Sequence, residues 1–215
     1  MSQIVEPAPS TRREQQKEAK RLALIDAALA VFSRVGYAAA KIDDVAEEAG
    51  VSKGTVYLYF ESKEALFEGM VKAKMVPMLD DVAEILGKPN ATAIERLRAH
   101  LTFFYTKILD DERRQIMRLI LSEGPNFPDL AEFYYKNVLS RGHAMVNAII
   151  QQGVESGEFR KMEGHGLMQN VAAGALIAGI WKQVFDPFQP LDLDAYFETH
   201  IDLILNGLRA QPGQD

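Results

Sequence analysis

Residues 42–60, Ile42-Asp43-Asp44-Val45-Ala46-Glu47-Glu48-Ala49-Gly50-Val51-Ser52-Lys53-Gly54-Thr55-Val56-Tyr57-Leu58-Tyr59-Phe60, set two short helical patterns on either side of the turn Gly50-Val51-Ser52. Glycine in the turn admits the left-handed backbone that a sharp reversal needs. Val45, Ala46, Ala49, Val51 and Val56 are small or β-branched, which lets two helices cross closely. The outer side of the second helix is left with Lys53, Thr55, Tyr57 and Tyr59, and Ser52 is placed to cap its start. A helix-turn-helix of this kind is a device for presenting one helix to a DNA groove.

The rest of the chain also reads as helical, because apolar residues recur at three- and four-residue steps and no stretch alternates as a strand does. Thr11 with Glu14 has capping-box spacing, and Leu22, Ile25, Leu29 and Phe32 then form a stripe that Gly36 ends. Ser62 is predicted to cap a long helix interrupted near Val76 by Pro77. After the loop Lys88-Pro89-Asn90, Thr92 with Glu95 opens a further capping box, and Asp110-Asp111 starts a shorter helix. Pro128 begins a helix running toward Gly153, and segments from Gly164 to Phe185 and from Asp192 to Leu208 close the chain. The expected fold is all-α with about nine helices: a three-helix helix-turn-helix DNA-binding domain over residues 1–65, then a larger helical ligand-binding and dimerisation domain over 66–215.

The formal charge of −6 looks unsuited to DNA until it is divided. Lys and Arg balance Asp and Glu up to Met75, so the whole excess of acid lies after it. Between Thr11 and Arg21 five basic residues (Arg12, Arg13, Lys17, Lys20, Arg21) face two acidic ones, so an acidic body carries a basic tip that the field of DNA would orient. Cysteine is absent, which excludes disulfides and thiolate metal sites, and His100, His143, His165 and His200 form no i,i+4 pair; neither a metal nor a cofactor is expected. Met1–Ser10 has no signal-peptide pattern and the near-apolar stretch Val171–Trp181 is too short to span a bilayer, so a cytoplasmic protein without a membrane partner is expected.

Gly50-Val51-Ser52-Lys53-Gly54 matches the G-x-S-x-G elbow of serine hydrolases, but that elbow needs a strand before the serine. The residues Ala46-Glu47-Glu48-Ala49 form a helix end instead, so no enzyme is expected. Asn90-Ala91-Thr92 matches a glycosylation acceptor and is read as a helix start.

The segments Phe32-Ser33-Arg34-Val35-Gly36-Tyr37, Asp43 to Phe60, and Phe60-Glu61-Ser62-Lys63-Glu64-Ala65-Leu66-Phe67 together resemble the TetR family of bacterial transcription regulators. Leu121-Ser122-Glu123-Gly124 through Phe127-Pro128-Asp129-Leu130 also resembles a subset of that family with a shared ligand-domain pattern. The resemblance implies that Lys53, Gly54, Thr55, Tyr57 and Tyr59 face the major groove and its flanking phosphates, and that Lys63 touches the DNA backbone. Adding the basic arm (Lys20, Arg21), Lys41 and Ser52 completes the expected contact set. The family usually has Thr or Ser where this chain has Ala40 and Lys41; Lys41 replaces the phosphate contact by charge, leaving Asp43 as a late cap.

An aromatic cavity for a small apolar or amphipathic effector is expected from His100, Phe103, Phe104, Met117, Leu121, Phe133, Tyr134 and Trp181. In the resembled family the last two helices pair across a two-fold axis, a role that Ala172, Ala175 and Gly179, then Ile201, Ile204, Leu205 and Leu208, suit in this chain; packing of the small residues within one subunit is the alternative. The expected partners are operator DNA, a small-molecule effector and a second copy of the chain. A helical ligand-binding or adaptor protein that never touches DNA is the competing class.

Overall fold

The computed structural model describes residues 12–87, 90–108, 110–162 and 166–210, without the side chains of 84–86 and 108. Thr11, Lys88-Pro89, Gly164 and His165 lie outside the described residues. The helices are α1 (Arg12–Ala39), α2 (Ile42–Glu48), α3 (Lys53–Tyr57), α4 (Lys63–Lys74), α5 (Val76–Leu86), α6 (Ala93–Ile108), α7 (Asp111–Glu123), α8 (Pro128–Tyr134), α9 (Ser140–Glu155), α10 (Leu167–Val184) and α11 (Leu193–Leu208). A π-helical turn, Tyr135–Leu139, joins α8 to α9 without a break. Taking α4–α5 and α8–π–α9 each as one run gives nine helices among the described residues, and no strand.

Contacts divide the chain into a unit ending at Ala73 and one beginning at Lys74. That division falls later than the one expected after Ala65, because α4 buries Leu66, Phe67, Met70 and Val71 completely. In the first unit α1 contributes Leu24, Ile25, Ala28, Val31 and Phe32 to the core. An apolar window in α1 has the length and hydropathy of a membrane span, an exception to the expectation that no stretch would; its buried face accounts for that composition. Each large apolar side chain so buried contributes roughly 1.5–3 kcal/mol. Gly36 leaves helical geometry at φ 79°, and Tyr37 then turns inward to meet Phe32 and Phe67 edge-on, 5.3 and 5.9 Å between ring centres.

Lys74 ends α4 and Val76 begins α5, with Pro77 in its first turn, where the missing N–H leaves no carbonyl unsatisfied. The second unit is built around Leu97, Leu101, Val146, Ile149, Phe159, Val171 and Ile201. Helix starts follow the capping residues: Thr92 and Glu95 exchange bonds of 2.9 and 3.1 Å, and Asp110 and Asp192 accept from the first turns of α7 and α11. The Glu158 carboxylate adds a long-range cap, accepting from Ala93 N and Ile94 N at 3.0 and 3.2 Å. Arg160 N–H donates to Leu208 O at 2.8 Å and ties the end of α11 to the same loop.

Candidate functional site

The turn between α2 and α3 takes the expected form: Gly50 lies at φ 63°, and Ser52 Oγ accepts from Thr55 N at 3.2 Å. The Ser52 and Thr55 hydroxyls share a 2.9 Å bond, so Ser52 is a helix cap preceded by helix α2, which is not the setting of a hydrolase elbow. The cap of α2 corrects one expectation. Asp44, rather than Asp43, accepts from the Lys41 N–H at 2.9 Å. Asp43 is thereby free to reach across the turn, and its Oδ2 lies 2.7 Å from Lys53 Nζ. The charge and hydrogen bond of Asp43 hold the Lys53 ammonium above the ordinary lysine range.

Lys41, Lys53, Gly54 and Tyr57 are exposed, while Thr55 and Tyr59 are half-buried. Leu58, absent from the outer side expected from the sequence, is 81% exposed beside them. Its exposure follows from the shortness of α3, which leaves only Val56 to enter the core. On the arm, Lys20 is exposed, whereas Arg21 pairs with Glu18 at 3.3 Å and lies over the Phe60 ring at 5.6 Å.

Lys63 corrects a second expectation. Its ammonium turns inward, donating to Tyr37 O at 2.7 Å and Ala40 O at 3.1 Å, and sits 4.3 Å from the Tyr37 ring centre. Carbonyls in the last turn of α1 and just beyond it thus occupy donors that the resemblance assigned to a phosphate. Tyr37 Oη donates to Glu64 at 3.1 Å, so the start of α4 is fastened to the end of α1 twice over.

The second unit contains a cavity of about 210 Å³. His100, Phe103, Phe104, Met117, Leu121 and Tyr134 line it as expected. Phe133 and Trp181 do not: the Trp181 Nε1–H donates to Gln189 O at 2.8 Å and the indole packs on Phe185. The sequence missed Met75 between α4 and α5, Met78, Leu79 and Val82 from α5, and Val138 and Leu139 from the π turn, which form much of the wall. Among the described residues, His100 and Tyr134 are the only polar side chains in the lining. His100 is 7% exposed, its Nδ1 has no hydrogen-bond partner, and burial lowers its pKa to about 4.

The expected dimer residues are mostly internal. Ala175 and Ala178 pack against Tyr105, Ala172 lines the cavity, and Gly179 lies close to Met117. Ile201, Leu205 and Leu208 are buried in the core of their own subunit, with Ile204 packed against it. Of these side chains Ala172 and Ile204 are half-buried and the others are buried within the protomer. The exposed apolar residues of α10 and α11 are instead Ile177, Val184 and Leu203, with Phe185 and Phe188 just beyond α10.

A capped reading helix beside an exposed lysine, followed by a helical unit enclosing an apolar cavity, defines a ligand-responsive helix-turn-helix transcription regulator. Residues 24–70 match the family model for bacterial regulatory proteins of the tetR family, and residues 95–165 match that for the C-terminal domain of AefR-like transcriptional repressors. The chain belongs to the TetR family. It is 27% identical to the fatty acid metabolism regulator protein of Bacillus subtilis over 90% of this chain and 97% of that one. The fatty acid degradation regulator FadR of Bacillus halodurans superposes with a TM-score of 0.72 at 25% identity, covering 89% of this chain and 97% of that one. FadR of Bacillus subtilis in complex with stearoyl-CoA shares the fold at a TM-score of 0.68 and 24% identity, over 86% and 98% of the two chains.

Proposed function

We propose that the protein is a cytoplasmic repressor that binds a pseudo-palindromic operator as a homodimer and leaves it when an apolar or amphipathic molecule enters the second unit. Lys53, Gly54, Thr55 and Tyr57 read base edges, with Ser52 and Tyr59 at the margins of the same surface, while Lys20, Arg21 and Lys41 contact phosphates. The exposed Leu58 adds an apolar contact suited to a thymine methyl group. The observation that carries the effector reading is the enclosed cavity lined by Met, Phe and Leu side chains. The stearoyl-CoA complex of the Bacillus subtilis regulator supports an acyl chain as the kind of molecule it takes.

Subunits pair through the outer faces of α10 and α11, where Ile177, Val184 and Leu203 are exposed. Two reading helices related by a two-fold axis then enter major grooves about 34–36 Å apart. Footprinting on the DNA upstream of its own gene, repeated with a panel of acyl-chain ligands, tests the reading. Two protected half-sites one helical turn apart and loss of protection with ligand are the expected result. Absence of DNA binding, or binding indifferent to salt, overturns it in favour of a ligand-binding protein that never touches DNA.

A further inference from the structure

Among the described residues, the effector cavity is lined by apolar side chains together with His100 and Tyr134. His100 comes from the middle of α6 and is more than nine-tenths buried, yet its Nδ1 meets no donor or acceptor among the described residues. Leaving a buried nitrogen unpaired is costly, so retaining it in a largely apolar lining calls for a partner that the described residues do not supply. The lining carries an independent sign of a binding site: the Tyr135–Leu139 π turn, which places Val138 and Leu139 in it. Such turns insert an extra residue at a local cost and recur where a helix is shaped around a ligand. Leu121 and Leu139 line the cavity and are also exposed, which locates its mouth between α7 and the π turn.

We infer that this cavity binds an alkyl-chain molecule bearing one uncharged hydrogen-bonding group, an alcohol or a carbonyl, with that group bonded to His100 Nδ1 and the chain lying against α5 and the π turn. The inference rests on the effector reading above and names the chemistry that the site selects. The volume, about 210 Å³, equals that of roughly seven waters, which is the scale of a medium-length chain. No charged side chain among the described residues lines the cavity, so a carboxylate or ammonium group taken inside would lose its hydration without a counter-ion from them. His100 is itself neutral near pH 7, because burial lowers its pKa to about 4, and a neutral imidazole nitrogen is suited to a neutral partner.

Calorimetric titration of the full-length protein with n-octane, 1-octanol, 2-octanone, octanoate and octylammonium at pH 8 tests this. At least one of octanol and octanone should bind about fivefold more tightly than octane, and both ions more weakly than either. Preference for the alcohol identifies Nδ1 as acceptor, and preference for the ketone identifies it as donor. His100→Leu should abolish the preference. Because a substitution at a buried position can impair folding, ¹⁵N NMR of the wild-type imidazole provides a second readout: Nδ1 must shift with the preferred ligand and stay put with octane. Equal binding of octane and both polar ligands, a preference that survives His100→Leu, ions bound as tightly as the alcohol, or a silent Nδ1 each overturns the inference. Operator release is measured separately; binding at His100 without release would sink the regulatory reading while leaving the site intact.

Discussion

Lys53 Nζ and Asp43 Oδ2 stand 2.7 Å apart across the turn between α2 and α3. Lys53, proposed to read a base, is therefore held by a carboxylate of its own motif. In the proposed DNA complex it exchanges that partner for a groove acceptor. Asp43→Asn is expected to raise affinity for all DNA sequences, since it releases Lys53 and removes a negative charge near phosphate. Lys53→Ala should weaken the preferred operator by roughly tenfold and flatten preference among variants. Competition binding over single-base operator variants checks both. A uniform loss across variants for Lys53→Ala would remove it from base readout.

Lys63 is expected to act on stability before it acts on DNA. Its ammonium bonds to the carbonyls of Tyr37 and Ala40 fasten the end of α1 to the start of α4. Lys63→Met should cost about 2 kcal/mol, a typical range for charge-assisted bonds. Thermal melting measures that loss, and the salt dependence of DNA binding separates the two roles. A slope lower by about 0.9 with unchanged melting would return Lys63 to a phosphate.

Stability should depend on pH through His100. The ordinary histidine value is 6.5 and burial lowers it to about 4 in the folded protein, so between these values the unfolded chain holds more protons. The contribution is complete above pH 6.5, falls as pH drops toward 4, and levels off below. Its full extent is about 3 kcal/mol. His200, whose pKa is also lowered by burial, adds slope of the same sign, so the difference between wild type and His100→Leu isolates His100. Denaturant midpoints at pH 7, 5.5 and 4.5 provide the test; parallel curves for the two proteins would refute it.

Gly174 is expected to be intolerant of any side chain. A Cβ there would lie 2.5 Å from the His200 ring, which bonds to Tyr105 Oη at 2.9 Å. Gly174→Ala should lower stability by about 1–3 kcal/mol through overpacking and leave the oligomeric state unchanged. Sedimentation alongside thermal melting distinguishes the outcomes. Dissociation at unchanged stability would place this small-residue face between subunits after all.

The outer faces of α10 and α11 support the converse experiment. Ile177→Glu combined with Leu203→Glu should leave the fold intact, because both side chains are exposed in the protomer, and should convert a dimer to monomer. Operator affinity would fall with it, as half-sites can no longer be held together. A double variant that still sediments as a dimer would move the interface elsewhere.

Much of the local structure was legible residue by residue. Thr92 with Glu95, Ser52, Ser62, Asp110 and Asp192 each mark a helix start, because the side chain that satisfies an orphan backbone donor lies within three residues of it. Gly36 and Gly50 mark backbone reversals for an equally local reason. The helix-turn-helix is legible since its two helices meet across one short turn.

Partners distant in sequence escaped that reading. Helical periodicity identifies an apolar face without saying what covers it, so Ala175 and Gly179 looked as suitable for a subunit interface as for the cavity and core that they pack against. Trp181 was chosen for its chemistry, but the chain after α10 folds back to give it Gln189 O instead. Lys63 was assigned by motif, and only the approach of α1 to α4 turned it inward. The sequence by itself determined the all-helical fold, the caps and the reading motif, all set by interactions a few residues long. Tertiary packing alone decided which apolar faces meet, where a cavity is left between them, and that His100 lines it with Nδ1 unpaired among the described residues, because those outcomes depend on how whole helices share a limited interior.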